Sequence, residues 1–387
     1  MNMDKLRIGI VGIGGMGSNH ARQLLEGKVK GATLTAVCDI DPARLTAARE
    51  NLSSELDCYL GIDEFLKADP VDAVIIATTH YHHSPIAVKC FERGLHVLTE
   101  KPAGVYTKQV REMNEAAEAS GKIFAIMFNQ RTDPKYRKLR EMVCSGELGE
   151  LKRTNWIVTS WYRTQAYYDA GGWRATWAGE GGGILTNQDP HQLDLWQWCC
   201  GMPLRVTSFC YVGKYHDIEV EDDVTAFVEY PNGATGVFVT STADAPGTNR
   251  LEVTGDCGKV VVEGNKVKFW KLDTPERKFN RENTESGGHP KTELIEFEFE
   301  DGGSQHLGIL RNFAEAIIDG AELIAPGAEG ILALSITNAM YLSSWTDDWI
   351  TLPPDEELYW KELSKRIETS DYKENGSDRI IDPRTTF

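Results

Sequence analysis

The sequence predicts two domains in series: a doubly wound parallel α/β sheet, then an α+β unit built on consecutive strands. Three observations carry this. From Leu6 to Phe128 apolar strand-like runs alternate with helical patterns. The first such run is followed at once by a Gly-x-Gly-x-x-Gly turn, Gly12 to Gly17. From Arg205 to Phe299 strand follows strand, with hairpin turns at Pro231-Asn232-Gly233 and Gly264-Asn265. A chain of 387 residues is also too long for one ordinary core.

The first element is Leu6 to Val11, a short run of the buried-strand type. In Gly12-Ile13-Gly14-Gly15-Met16-Gly17, Gly12 suits the tight turn. Gly14 lets the backbone approach a pyrophosphate, and Gly17 lets the following helix pack closely on the strand. That helix, Gly15 to Glu26, points its amide groups and dipole at the phosphates. Turn and helix together are the Rossmann dinucleotide-binding pattern. The next strand, Thr33 to Cys38, ends in Asp39, with Ile40 beside it. An acidic side chain there accepts hydrogen bonds from the ribose hydroxyls and repels a 2′-phosphate, so the expected cofactor is NAD. Asp41 reads as the cap of a helix whose first residue is Pro42.

Helices follow at Leu45 to Leu52, Ile62 to Lys67, Pro85 to Arg93 and Thr107 to Ser120. The intervening strands are Asp72 to Ala77, Leu95 to Thr99 and Ile123 to Phe128. Ligands of such sheets sit outside the carboxyl ends of the strands. Those ends are Thr78-Thr79-His80, Glu100-Lys101-Pro102 and Asn129-Gln130-Arg131. Lys101 follows a strand, and the proline after it disfavours helical geometry. A lysine there, beside a positively charged nicotinamide, has a lowered pKa and can exchange a proton with a hydroxyl. Glu100 tunes it. The competing reading is a solvated loop lysine; the strand-end position argues against it. His80, His82 and His83 lack a cysteine or carboxylate at ligand spacing, so a loop over the cofactor is expected and no metal.

Here the chain resembles the glucose-fructose oxidoreductase / inositol dehydrogenase / rhizopine-catabolism family (Gfo/Idh/MocA). The residues carrying the resemblance are Gly12 to Gly17, Ala77-Thr78 with His83, Glu100-Lys101-Pro102, and Phe128-Asn129-x-Arg131. It extends from about residue 6 to residue 350. It implies a large open, mainly antiparallel sheet in the second domain and a homo-oligomer, dimer or tetramer, formed through its free face. It also implies a carbohydrate, glycoside or cyclitol substrate.

In the second domain, Asp133 to Cys144 reads as a helix and Leu151 to Tyr162 as a long strand. Arg163 to Gly179 is rich in aromatic residues and glycine, and in the family this region borders the substrate pocket. Tyr162, Trp173, Arg163 and Arg174 are therefore expected at the substrate, with Arg131 and Gln188; core packing is the competing reading for the rings. Asp189 reads as a helix cap before Pro190, which puts His191 in the first turn, where the dipole disfavours imidazolium. Asp194, three residues on, is expected to orient it. His191 matches the family's acid/base histidine. The family's aspartate four residues earlier is Asn187 here; an amide positions a hydroxyl but cannot take its proton. Proton transfer then falls on Lys101 and His191, with Asp189 as an added carboxylate near the site.

Strands follow at Val206 to Tyr211, Val224 to Tyr230, Ala234 to Thr242, Arg250 to Thr254, Lys259 to Glu263, Lys266 to Leu272 and Glu293 to Phe299. Thr274 to Pro290 reads as a polar, charge-rich mobile loop or lid, with His289 and, nearby, His306 as minor candidates for substrate contact. Leu307 to Ile318, Gly330 to Trp345 and Leu358 to Ile367 read as helices. The expected domain bounds are 1–129 and 130–369, with a polar tail at 370–387.

A formal net charge of -17 disfavours nucleic acid and anionic lipid as partners. No apolar run reaches the roughly 18 residues of a membrane span. The polar start leaves no signal peptide, so the expected address is the cytoplasm. Eight scattered cysteines suit buried thiols in a reducing compartment. The leading reading is an NAD-dependent dehydrogenase of a secondary hydroxyl. A second is an enzyme that oxidises a glycoside at C3 with tightly bound, recycled NAD, preparing elimination of the aglycone. A third is a non-enzymatic NAD-dependent sugar sensor.

Overall fold

The computed structural model describes residues 5–371. Six strands form the first sheet: β1 (Leu6–Val11), β2 (Ala32–Asp39), β3 (Asp57–Leu60), β4 (Ala73–Ile76), β5 (His96–Thr99) and β6 (Phe124–Ile126). Their order is β3-β2-β1-β4-β5-β6, and every pair is parallel. Helices cover both faces, so β4 at the centre is buried throughout and reads as an unbroken apolar run. β3 has no such signal. It is an edge strand of four residues, Asp57-Cys58-Tyr59-Leu60, exposed at both ends and half-buried between, so it is visible only through its pairing with β2. The order reverses between β1 and β4, which opens a crevice above their carboxyl ends.

The second sheet has nine strands among the described residues: β7 (Leu151–Val158), β8 (Arg205–Val212), β9 (Glu221–Glu229), β10 (Thr235–Ser241), β11 (Asn249–Gly255), β12 (Gly258–Glu263), β13 (Lys266–Leu272), β14 (Thr292–Glu298) and β15 (Ile350–Thr351). Their order is β14-β13-β12-β11-β7-β10-β9-β8-β15. Two antiparallel meanders flank β7, and the β7–β10 pair is the single parallel junction among these strands. One face is covered by the helices Pro190–Cys200 and Gly330–Thr346, through Trp196 stacked on Phe238 and Ser343 bonded to Ser208. The other face is open.

Three readings change in detail. β7 ends at Val158, where the chain leaves the sheet and Arg163 N–H bonds to Thr242 instead. The segment Thr274 to Pro290 holds a helix, Glu276–Glu282, tied to Lys152 and Asp256 at the far end of the sheet; it is no lid over the crevice. Cys144 is exposed, whereas Cys38, Cys90, Cys199 and Cys200 are buried.

Candidate active site

A cavity of about 750 Å³ opens where the carboxyl ends of the parallel strands face the segment 161–191. Its nucleotide wall is Gly12, Gly14, Gly15 and Met16, then Asp39, Ile40, Thr78, Thr79 and His80. Its other wall is Trp161, Arg163, Tyr167, Trp173, Arg174, Asn187, Gln188 and His191. Glu100 and Lys101 stand where the walls meet.

The glycine turn fits a dinucleotide for steric reasons. Gly12 has φ +91° and a Cβ there would lie 2.6 Å from the Ala77 oxygen. A Cβ on Gly17 would lie 1.9 Å from the Gly12 oxygen, so only glycine lets the helix Gly15–Leu25 start this close to β1. At Gly14 the protein leaves room instead: a Cβ there would find the Arg44 guanidinium nearest, at 3.7 Å, which suits the approach of a pyrophosphate. Asp39 is buried at the end of β2 and accepts from the N–H groups of Ile13 at 2.8 Å and Asp41 at 3.0 Å. A carboxylate has further lone pairs for ribose hydroxyls. Asp41 caps the next helix through Ala43, as its position before Pro42 predicts.

Lys101 faces the cavity, and its Nζ donates to the main-chain oxygen of Asn187 at 2.8 Å, joining the two walls. The Lys101–Pro102 peptide is cis. Burial brings the lysine pKa down to about 8, against the opposing charge of Glu100. Burial alone would raise Glu100, but the His20 imidazole, 2.7 Å from its Oε1, outweighs this and holds it at about 2. His306 lies behind them, its ring centroid 5.9 Å from that of His20, and burial lowers its pKa to about 4. His191 is in the first turn of its helix as expected; burial, then the Lys101 charge, puts its pKa well below the ordinary range. Among the described residues, neither of its ring nitrogens has a hydrogen-bond partner.

Several expected site residues lie elsewhere. Arg131 is buried away from the cavity, its guanidinium on Asp194 at 2.6 and 2.8 Å and beside Glu329. A desolvated guanidinium takes the nearest buried carboxylate, so Asp194 serves Arg131 and does not orient His191. Asn129 is buried and donates to Gln305 at 2.6 Å. Tyr162 turns to solvent, 50% exposed. Ile13 and Gly17 act behind the turn, as described. The His83 nitrogens face the oxygens of Pro102 (2.7 Å) and Thr78 (3.0 Å), so this residue clips two strand ends together behind the cavity. His289 bonds next to its own Pro290 and is not at the cavity. Asp189 sits at the cap position, but its carboxyl turns into the core beside Thr240 and Trp161; burial pushes it well above the usual range.

The aromatic segment divides. Trp161, Tyr167 and Trp173 line the cavity, Trp173 edge-on to His80 at 5.5 Å. Tyr168 bonds Thr242, and Trp177 packs on Tyr341 and Trp345 in the core. Gln188 donates to the Tyr167 hydroxyl at 3.2 Å. Sequence reasoning missed Glu180, which is buried behind Asn187 and bonded to its amide, and His20 behind Glu100. Glu180 leaves one trace in the sequence, a lone carboxylate within the glycine run 179–183.

A parallel sheet with this glycine turn, strand-end acid and cavity lysine defines a dinucleotide-dependent oxidoreductase class. Family models match on both parts: the oxidoreductase family with an NAD-binding Rossmann fold over residues 6–128, and the GFO/IDH/MocA C-terminal domain over residues 136–261. The chain belongs to the Gfo/Idh/MocA family, and its cofactor is NAD. It is 37% identical over 147 residues to an inositol 2-dehydrogenase of Corynebacterium glutamicum, a stretch covering 38% of this chain and 43% of that one. It is 25% identical to a myo-inositol 2-dehydrogenase of Thermotoga maritima, over 85% of this chain and 93% of that one. Among solved structures, the WlbA dehydrogenase of Chromobacterium violaceum, in complex with NADH and UDP-GlcNAcA, superposes with a TM-score of 0.78 at 29% identity, covering 92% of this chain and 98% of that one. Among the described residues no helix is long and apolar enough to cross a membrane.

Proposed function

We propose that this chain oxidises a secondary hydroxyl of a sugar, glycoside or cyclitol, with Lys101 and His191 handling the proton. The observation that carries the reading is Lys101, a strand-end lysine facing the cavity with a pKa brought down to about 8. Bound NAD supplies a hydride acceptor. The residues that would hold it are the Gly12–Met16 turn at the pyrophosphate, Asp39 and Ile40 at the ribose, and Thr78, Thr79 and His80 along the strand ends. Uncharged Lys101 keeps one N–H on the Asn187 oxygen and turns its lone pair to the substrate hydroxyl, from which it takes the proton. Uncharged His191 donates a hydrogen bond to the same oxygen and stabilises the charge left on it as the proton goes to Lys101. Trp173, Tyr167 and Trp161 give this wall apolar surface for the C–H side of a pyranose or cyclitol.

Two cations sharpen the substrate class. Arg163 and Arg174 lie 4.9 and 4.8 Å from the Tyr167 ring, at the substrate end of the cavity of a protein with a formal net charge of -17. They favour a substrate with a carboxylate or phosphate, the chemistry of the anionic sugar nucleotide UDP-GlcNAcA found in the WlbA complex. The test is an absorbance scan at the NADH band with inositols, neutral glycosides, sugar acids and sugar nucleotides, with and without added NAD. NADH accumulating with added NAD supports the reading and names the substrate. Conversion without net NADH replaces it with the recycled-cofactor glycoside oxidation. No response to any compound favours the sensor.

The assembly proposed is a homo-oligomer through the open face of the second sheet. Ile157, Val239, Thr225 and Phe209 are in register across four adjacent strands, so they share that face. Ile157 and Phe209 are exposed there, with Tyr211 two residues on. Light scattering on the eluted protein reads the mass directly; a monomer sinks the assembly.

A further inference from the structure

Resting on the proposed oxidation, we infer that Glu180 is a positioning residue that sets which end of the Asn187 amide meets the substrate. The helical turn Ile184–Asn187 is held at its start by Glu221, which accepts from the N–H groups of Gly183 (2.9 Å) and Leu185 (3.0 Å). Its backbone is thus placed, and the Asn187 oxygen receives Lys101 Nζ. The Asn187 side chain reaches the cavity wall, with its Nδ2 donating to Glu180 Oε1. Burial raises the Glu180 pKa, while the Arg174 charge, the Ala175 N–H and the Asn187 amide favour the ionised form. As a carboxylate it only accepts, so this contact has one sense: nitrogen to Glu180, and Oδ1 as the amide corner left to the cavity. Asn187 therefore presents an acceptor to a substrate hydroxyl, the role an aspartate at that position would fill, with the negative charge set back on Glu180.

Glu180 is built to hold this sense. It is buried, and its Oε2 accepts the N–H of Ala175 at 2.6 Å. Ala175 is in the left-handed region, φ +56°, which a non-glycine residue adopts only when its surroundings hold it there. The same carboxyl lies 4.0 Å from Arg174, and the Glu180 main-chain oxygen accepts from His80 Nδ1 at 3.0 Å. Glu180 thus orients the amide through its carboxylate, stands at the edge of ion-pair distance from Arg174, and ties the loop to the cofactor strand ends through its main-chain oxygen.

The inference is tested by exchanging the pair. Glu180→Gln has one acceptor and one donor. The acceptor goes to Ala175, and the donor faces the Asn187 nitrogen, which forces the amide to flip and aim N–H at the substrate. Asn187→Asp sets two carboxylates against each other. The double variant E180Q/N187D restores every hydrogen bond with donor and acceptor exchanged. With myo-inositol and UDP-GlcNAcA as probes, kcat/KM in E180Q should fall about 100-fold, and the double variant should recover to within about 5-fold of the parent. NADH affinity should stay within about 2-fold in all four proteins, since Glu180 is off the nucleotide wall.

E180Q at parental kcat/KM overturns the inference. So does a double variant carrying the product of both single losses, which is the behaviour of a purely structural residue. A readout needing neither substrate nor variant is the Asn187 side-chain amide signal in asparagine-15N-labelled parent protein with NADH. Protons shifted downfield and slow to exchange support the carboxylate contact, and freely exchanging protons overturn it. If the parent reduces NAD with neither probe, the substrate reading fails while this signal still decides the role of Glu180.

Discussion

The two walls of the cavity are built by different means. The nucleotide wall is made of backbone: a left-handed Gly12, a Gly17 touching Gly12, strand ends, and Asp39 bonded to N–H groups of its own and the preceding turn. The substrate wall is made of side chains converging from distant segments, with Lys101 on Asn187 and Asn187 on Glu180. A backbone wall tolerates few substitutions in sequence but accepts one ligand shape. A side-chain wall is open to change in any of its members, and here Asn187 has a buried glutamate behind it.

The sharpest test of this contrast is Lys101→Ala. It should lower kcat by about 10³-fold, because it removes the proton acceptor. NADH binding, measured by fluorescence titration, should be nearly unchanged because the backbone wall is intact; full activity would break the assignment. Arg131→Ala tests the other side of the same point. It leaves Asp194 buried and unpaired, and should cost about 3–5 kcal/mol in denaturant unfolding. A fall in kcat/KM at unchanged stability would return Arg131 to the site.

On the nucleotide wall, Asp39→Ala removes the ribose acceptor and leaves Arg44, 3.8 Å from its carboxylate in the parent, as the nearby charge. Preference for NAD over NADP should fall by about 10- to 100-fold, measured as the ratio of kcat/KM values. The pH profile comes next. Lys101 works uncharged, and its pKa is lowered to about 8, so oxidation should rise with pH through about 8 and then level. Glu100 raises that pKa, so Glu100→Gln should move the rising limb to lower pH. A limb that moves up, or no limb, would take the titration away from Lys101. The smallest effect is expected at Tyr162→Ala, a solvent-facing ring, with kcat/KM within about 2-fold of the parent.

How much was legible follows the same division. The glycine turn, the Asp39 strand end, the Asp41 cap and the Lys101-Pro102 strand end each follow from constraints spanning a few residues. β3 was not legible, because an exposed edge strand carries no apolar run. Among the aromatic residues from Trp161 to Trp177, nothing in the chain distinguishes Trp173 at the cavity from Trp177 in the core; only the position of Tyr341 and Trp345 does.

By itself the sequence determined the parallel sheet, the dinucleotide turn, the strand-end lysine and the first-turn histidine. These depend on backbone sterics and hydrogen bonding within one or two turns of chain. Only the tertiary structure decided that Asp194 belongs to Arg131, that Asp189 turns inward and that Glu180 stands behind Asn187. A charge taken out of water binds the best partner within a few ångströms, and which groups come that close is set by how the two sheets and their helices pack.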